Sequence, residues 1–300
     1  MFDTQSITEH RDRVGESPVW SVAEQALYWV DIEGQRLNRL EWATRLQSSW
    51  KLPEQVGCIA LSSRKTVIAA METGIFEVEL HAYADIKLTR LDTIVHPQSN
   101  MRFNDGRCDA KGRLWVSTMV RNTQLGQAVG GIYCLDANGL QGPVQEGFIT
   151  PNGMAFSNDG QTAYLSDSHA SKQMIWRHSF NKDTGTWGTP AEWVDMKKFP
   201  GRPDGAAMDT ENCYWICGND AGLVHRFSPI GQLLQSIPLP VSKPAMCAFG
   251  GPDLRHMFVT SIQPAAPVVG FDSALDGAVF VCDPGVQGVP EPLFSQFPVS

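Results

Sequence analysis

"RFNDGRCDAKGRLWVSTM", residues 102–119, places a dense polar knot just ahead of the apolar run Leu114, Trp115 and Val116. The arrangement returns twice, as "TPNGMAFSNDGQTAYLSDS" at 150–168 and "RPDGAAMDTENCYWICGND" at 202–220. Laying Asp105-Gly106 over Asn152-Gly153 and Asp204-Gly205 brings Trp115, Tyr164 and Trp215 close to register. Each is followed by another strand-like run: "GGIYCLD" (130–136), "MIWRHSF" (174–180) and "GLVHRFS" (222–228).

The rest of the chain reads the same way. "ALYWVDI" (26–32), "TVIAAM" (66–71) and "HMFVTS" (256–261) mix aromatic and β-branched residues, and turn triplets such as "EGQ", "ETG" and "NDG" separate such runs. "GQRLNRLEW", "TGIFEVEL" and "DGAVFVCD" fill the slot taken by "GGIYCLD". Long stripes at helical period are scarce, and 27 glycines and 19 prolines interrupt most candidates. Units starting near 16, 57, 105, 152, 204 and 245 recur every roughly 40–50 residues, the size of a four-stranded propeller blade. The pattern predicts an all-β fold: one domain over residues 1–300, a six-bladed β-propeller of four-stranded antiparallel blades around a central channel. Residues leading into the innermost strands would then meet at one channel mouth.

Composition narrows the function. A formal charge of −8 argues against nucleic acid, whose recognition needs a basic face. No window approaches the ~20 apolar residues of a membrane span, and no basic patch with an apolar run opens the chain, so neither membrane attachment nor a signal peptide is expected. Seven widely spaced cysteines with no CxxC point to free thiols and a reducing, cytoplasmic compartment. No HxxxH or HxH occurs, and isolated His169 reads as a turn residue.

Asn, Asp and Gly are what turns want, so any one knot could be only a turn. Three at matching positions, two of them preceded by proline, ask for more. Glu16 of "GESPVW", Asn152 and Asp204 form an all-oxygen set suited to one divalent cation: Ca²⁺, Zn²⁺, Mg²⁺ or Mn²⁺. Three protein ligands leave positions for water and substrate, as catalytic metal sites do.

Over essentially its whole length the chain resembles the SMP-30/gluconolactonase/regucalcin-like family. The resemblance rests on "GESPVW", "RFNDGRCDAKGRLWVSTM", "PNGMAFSNDGQTAYLSDS", "RPDGAAMD" and "AFGGPDLRHMFVTS". It implies a six-bladed propeller that hydrolyses sugar lactones with a divalent metal. It further implies Glu16, Asn152 and Asp204 as metal ligands, with Arg102 and Asn104 contacting substrate. Two departures stand out: Val120, Arg121 and Asn122 follow "STM" where many members place an acidic residue, and "SKPAMCAF" stands where relatives often carry Thr.

On this reading the partner is a small sugar lactone and the chain a monomer or weak homodimer. The metal polarises the lactone carbonyl, Asp204 takes a proton from the attacking water, and ligation holds the Asp204 pKa low. Arg102 and Asn104 orient the substrate, a structural salt bridge being the rival role for Arg102. Arg121, on a flap over the mouth, offers a planar fork to a second carboxylate, so aldarolactones are expected to be preferred. The alternatives are a phosphotriesterase or aryl-esterase at the same site and a non-enzymatic calcium-binding propeller. The N-terminal "TQSITEHRD" is expected to pair as the outer strand of blade six, which holds "GAVFVCD" and ends near "PEPLFSQF".

Overall fold

Second strands explain why the apolar runs are so short and uninterrupted. Ala26–Asp31, Val67–Met71, Leu114–Val120, Thr162–Asp167, Tyr214–Asn219 and His256–Ser261 are covered on both faces by neighbouring blades, and nearly every side chain in them is buried. Outer strands such as Ile86–Thr93 and Thr186–Asp195 are largely exposed and correspondingly polar. The computed structural model describes residues 3–298. Six four-stranded antiparallel sheets follow one another. Each innermost strand packs on that of the next blade and the sixth on the first, which makes the expected six-bladed propeller.

The innermost strands are Gly15–Ser21, Val56–Leu61, Met101–Cys108, Pro151–Phe156, Arg202–Met208 and Pro244–Gly250. The polar knots do not precede these strands as turns; they lie within them. Pairing with the second strand slips between Glu16 and Val19, Val56 and Cys58, Phe103 and Gly106, Asn152 and Ala155, Pro203 and Ala206, and Pro244 and Cys247. A β-bulge bends its strand and re-aims the side chains at the slip. Gly153 shows why glycine is needed there: its φ is +62°, and an added Cβ would lie 2.5 Å from the Tyr214 hydroxyl. Counting back from the pairs that close two bulges, Gly106 with Val116 and Ala206 with Ile216, Asp204 is the counterpart of Asn104. The overlay of Asp204 on Asp105 was off by one, because motif matching is blind to register inside a bulge.

The ring closes at blade six as expected on its N-terminal side. Gln5 and Ser6 pair with Val281 and Phe280 as the outer strand of that sheet, and the amide of Ile7 donates to Val279 O. The C-terminal side differs. Beyond Cys282 the chain leaves blade six and runs as a strap over the channel mouth at the C-terminal ends of the innermost strands. Gly288 bridges to Asp209 of blade five, and Phe294 pairs in parallel with Ser62 of blade two. The Phe294 ring is fully buried among Cys58, Phe103, Leu114 and Val116. "PEPLFSQF" therefore serves blades two and three, because its buried aromatic finds its pocket there.

Among the described residues no helix is long and apolar enough to cross a membrane, and all seven cysteines are free and buried.

Removing residues 1–15 strips the outer strand from Phe280–Cys282 and leaves an unpaired sheet edge. The truncated chain is expected to melt several degrees lower in calorimetry. An unchanged melting temperature would show that this pairing carries no part of closure.

Candidate active site at the channel mouth

At the N-terminal ends of the innermost strands the bulges turn polar side chains toward one another. A hydrogen-bond chain crosses three blades. Arg102 Nη1 donates to Asn104 Oδ1 at 2.8 Å, and Asn104 Nδ2 donates to Asn152 Oδ1 at 3.1 Å. Asn152 Nδ2 donates in turn to Asp204 Oδ1 at 2.8 Å, and Asn219 Nδ2 reaches Asp204 Oδ2 at 2.6 Å. Asn104, Asn152, Asp204 and Asn219 are all buried. Glu16 enters from blade one, its Oε2 accepting from the Ser17 amide at 3.0 Å, with Ser17 at φ +49° in its own bulge.

The charges are poorly balanced. Burial pushes the Glu16 carboxyl well above the usual carboxylate range, and the negative charges of Asp204 and Asp105 add to the shift. Burial raises Asp204 to about 7 against the pull of Arg202 and Asn219, and raises Asp105 to about 6. Arg102 is pulled down to about 10 by the same desolvation. Like-charged carboxylates sharing a buried site resist ionising together. An all-oxygen set with surplus negative charge fits a hard or borderline dication, and Glu16, Asn152 and Asp204 could hold one. The protein alone lifts the Asp204 pKa; only an added cation would bring it down to the low value expected from ligation.

A family model described as "SMP-30/Gluconolactonase/LRE-like region" matches residues 14–263. The chain belongs to this family. It is 37% identical over 289 residues to the 6-deoxy-6-sulfogluconolactonase of Pseudomonas putida, covering 94% of this chain and 95% of that one. It is 30% identical to a pentonolactonase of Haloferax volcanii, over 93% and 94% of the two chains. Among solved structures, the regucalcin of Agrobacterium tumefaciens, described as a calcium-binding protein, superposes with a TM-score of 0.88 at 26% identity, covering 98% and 97%. These relatives of the family thus bear the names of sugar lactonases and of a calcium-binding protein.

Set against the sequence expectations, Arg102, Asn104, Asn152 and Asp204 come together in one chain of contacts, and Glu16 faces it electrostatically. Among the described residues Arg102 has no ion-pair partner, and its Nε and Nη2 donate to no protein atom, so the salt-bridge role for it is not what the structure shows. Arg121 is engaged: its guanidinium is ion-paired with Glu72 of blade two, and its amide donates to Asn100 O at 2.9 Å. It is not the open fork expected of it, because Glu72, at the end of a strand in the next blade, is brought beside it by the ring. His169 sits in a turn with Nδ1 2.8 Å from Ser171 Oγ, as read.

Sequence reasoning missed Asp105, Asn219 and Ser168, whose Oγ accepts from Asn152 Nδ2 at 2.8 Å. Asp105 was in plain view in "RFNDG", and its Oδ2 takes the Met154 amide at 2.8 Å. Asn219 ends a second strand, where blades one and four place Asp31 and Asp167, and that shared position was the available signal. A separate grouping, His10, Asp12 and Asp31, has donor atoms spaced to hold a cation at the seam of blades one and six. Asp31 already accepts the amides of Arg13, Val14 and Gly34. Asp167 accepts those of Ile149, Thr150 and His169 in the same way.

The raised carboxyls give a pH signature in cation-free protein. The folded Asp204 holds its proton to about 7 against an ordinary 3.8. Folding is therefore not penalised below the lower value, loses stability as pH rises between the two, and levels off above. The cation-free melting temperature is expected to fall from about pH 4 to about pH 7, and to fall less in Asp204→Asn. Identical slopes in the two proteins would contradict the burial argument for Asp204.

Proposed function

We propose that this protein hydrolyses a sugar lactone at the channel mouth with one divalent cation, Ca²⁺ or Zn²⁺ ahead of Mg²⁺ or Mn²⁺. The observation that carries the reading is the meeting of Asn152 and Asp204 as buried, hydrogen-bonded oxygen donors, with the half-buried Glu16 carboxyl near enough to feel the charge of Asp204. Sugar-lactonase relatives that align over more than nine-tenths of the chain support it.

When bound, the cation supplies Lewis acidity at the lactone carbonyl and to the attacking water. The chain's own residues do the rest. Asn152 and Asn219 fix both oxygens of Asp204, so its carboxylate is aimed before substrate arrives. Asp204 takes one proton from water as the water oxygen adds to the carbonyl carbon. The ring C–O bond then breaks, and the proton passes to the departing ring oxygen, giving the open hydroxy acid. The Nε and Nη2 donors of Arg102 make no hydrogen bond among the described residues and are left for a carbonyl or hydroxyl oxygen, and Asn104 holds Arg102 in place.

The rim of the mouth favours an anionic lactone. Arg202 and Lys243 share the single carboxylate of Asp220, leaving a surplus positive charge beside Asp204 in a protein of net charge −8. A local reversal of sign steers anions to a site. The P. putida relative is named for a sulfonated lactone. The aldarolactone preference is retained in this broader form, with Lys243 and Arg202 in the role first given to Arg121. The free thiols suit a reducing cytoplasmic setting.

Two measurements follow. Protein stripped with chelator and refilled with one cation is expected to hydrolyse gluconolactone or an acidic lactone. Glu16→Gln and Asp204→Asn should each lose orders of magnitude while remaining folded; near wild-type turnover by Asp204→Asn at saturating cation would end its role as base. Preferential turnover of an organophosphate ester would transfer the site to the esterase reading, and cation binding without any turnover to the calcium-binding one. For the rim, Lys243→Gln should lower kcat/KM for a glucarolactone by roughly tenfold, the worth of a charge-assisted contact, and leave gluconolactone nearly unchanged. Arg121→Glu should affect both substrates alike. Equal losses on both substrates in Lys243→Gln would remove the anionic preference.

A further inference from the structure

Beneath the site, one guanidinium joins the strands that carry its donors. Arg107 lies in the innermost strand of blade three, buried near the channel axis. Its Nε donates to Met154 O of blade four at 3.0 Å, and its Nη2 donates to Ala206 O of blade five. Met154 stands two residues after Asn152, and Ala206 two residues after Asp204, so both bonds fall at the bulges that aim those side chains. The Met154 amide is held as well, by Asp105 two residues before Arg107. The remaining arm, Nη1, is ion-paired with Glu291, 184 residues away on the C-terminal strap. Glu291 is held there by its neighbours: Gly288 bridges to Asp209, the Gly288 amide donates to Leu254 O at 2.9 Å, and that of Phe294 to Leu61 O at 2.8 Å.

We propose that the Glu291–Arg107 pair is a positioning clamp: the strap fixes Arg107, and Arg107 sets the spacing of the Asn152 and Asp204 bulges. The inference rests on the reading of that mouth as a cation site. An arginine holding two carbonyls from different blades has a defined place only if its third arm is anchored. Removing the carboxylate leaves a buried guanidinium unpaired, which reorients to find another acceptor. Residues that orient first ligands through a hydrogen bond change affinity without touching the ion.

The test uses the full-length chain, stripped and titrated with Ca²⁺ and separately with Zn²⁺ by calorimetry. Glu291→Gln is expected to weaken cation binding by about tenfold or more, and Glu291→Asp, which keeps the charge, to recover part of it. Phe258→Leu in blade six, which contributes no donor, serves as a destabilised control and should bind the cation as the wild type does. Hydrogen exchange reads the clamp without any cation: segments 151–156 and 202–208 should exchange faster in Glu291→Gln and unchanged in Phe258→Leu. Should Glu291→Gln fail to fold, Arg107→Lys, which cannot span both carbonyls and the carboxylate, should show the same two effects. Affinities within twofold of wild type together with unchanged exchange would overturn the clamp. Its outcome is separate from that of the lactonase reading, since neither readout uses turnover: a protein that binds cation but opens no lactone loses the activity and keeps the clamp.

Discussion

Buried negative charge around the channel mouth is the constraint to which the rest of the molecule answers. Asp105 and Asp204 are carried into the interior of a β-ring with the half-buried Glu16 beside them, and burial, joined for Glu16 by the charges of the other two, raises each above its ordinary range. A fold tolerates such a cost when the group has a task or a compensating partner. Here hydrogen bonds from Asn152 and Asn219 offset part of it for Asp204, and backbone amides do so for Asp105. What remains is the uncompensated negative charge that the proposed cation would neutralise.

The propeller delivers that concentration of charge because every innermost strand is interrupted at the same level. A regular strand would point alternate side chains into the blade packing and the channel. In blades one, three, four and five the slip lies at or beside the polar residues, freeing Asn104, Asp105 and Asp204 from the ladder and following directly on the paired Glu16 and Asn152, so polar groups some 190 residues apart in sequence at the extremes, as Glu16 and Asp204 are, come to one mouth. Keeping them at fixed separation requires a closed ring. The N-terminal strand completes blade six, and the C-terminal strap ties blades two, three and five from the opposite mouth.

Much of this was legible in the amino-acid order. The recurrence of a buried run bounded by Gly and Asn showed six units, and the Asp and Asn of the knots marked the mouth. The N-terminal pairing followed from the need to cover an edge. The bulges were hidden because a two-residue slip leaves composition unchanged, so Asp204 was set against Asp105 when its counterpart is Asn104. The strap was hidden because "PGVQGVPEPLF" is proline-rich and has no period, yet one phenylalanine, Phe294, finds a complete pocket. The fork expected of Arg121 is taken by Glu72, which comes beside it only through the packing of blade two on blade three.

One cation is expected at the channel mouth, held by Glu16, Asn152 and Asp204. Crystals grown from chelated protein and soaked in Mn²⁺ would locate it by anomalous scattering. A single strong peak is expected within bonding distance of oxygens of all three side chains. A peak confined to His10, Asp12 and Asp31, with nothing at the channel mouth, would contradict it.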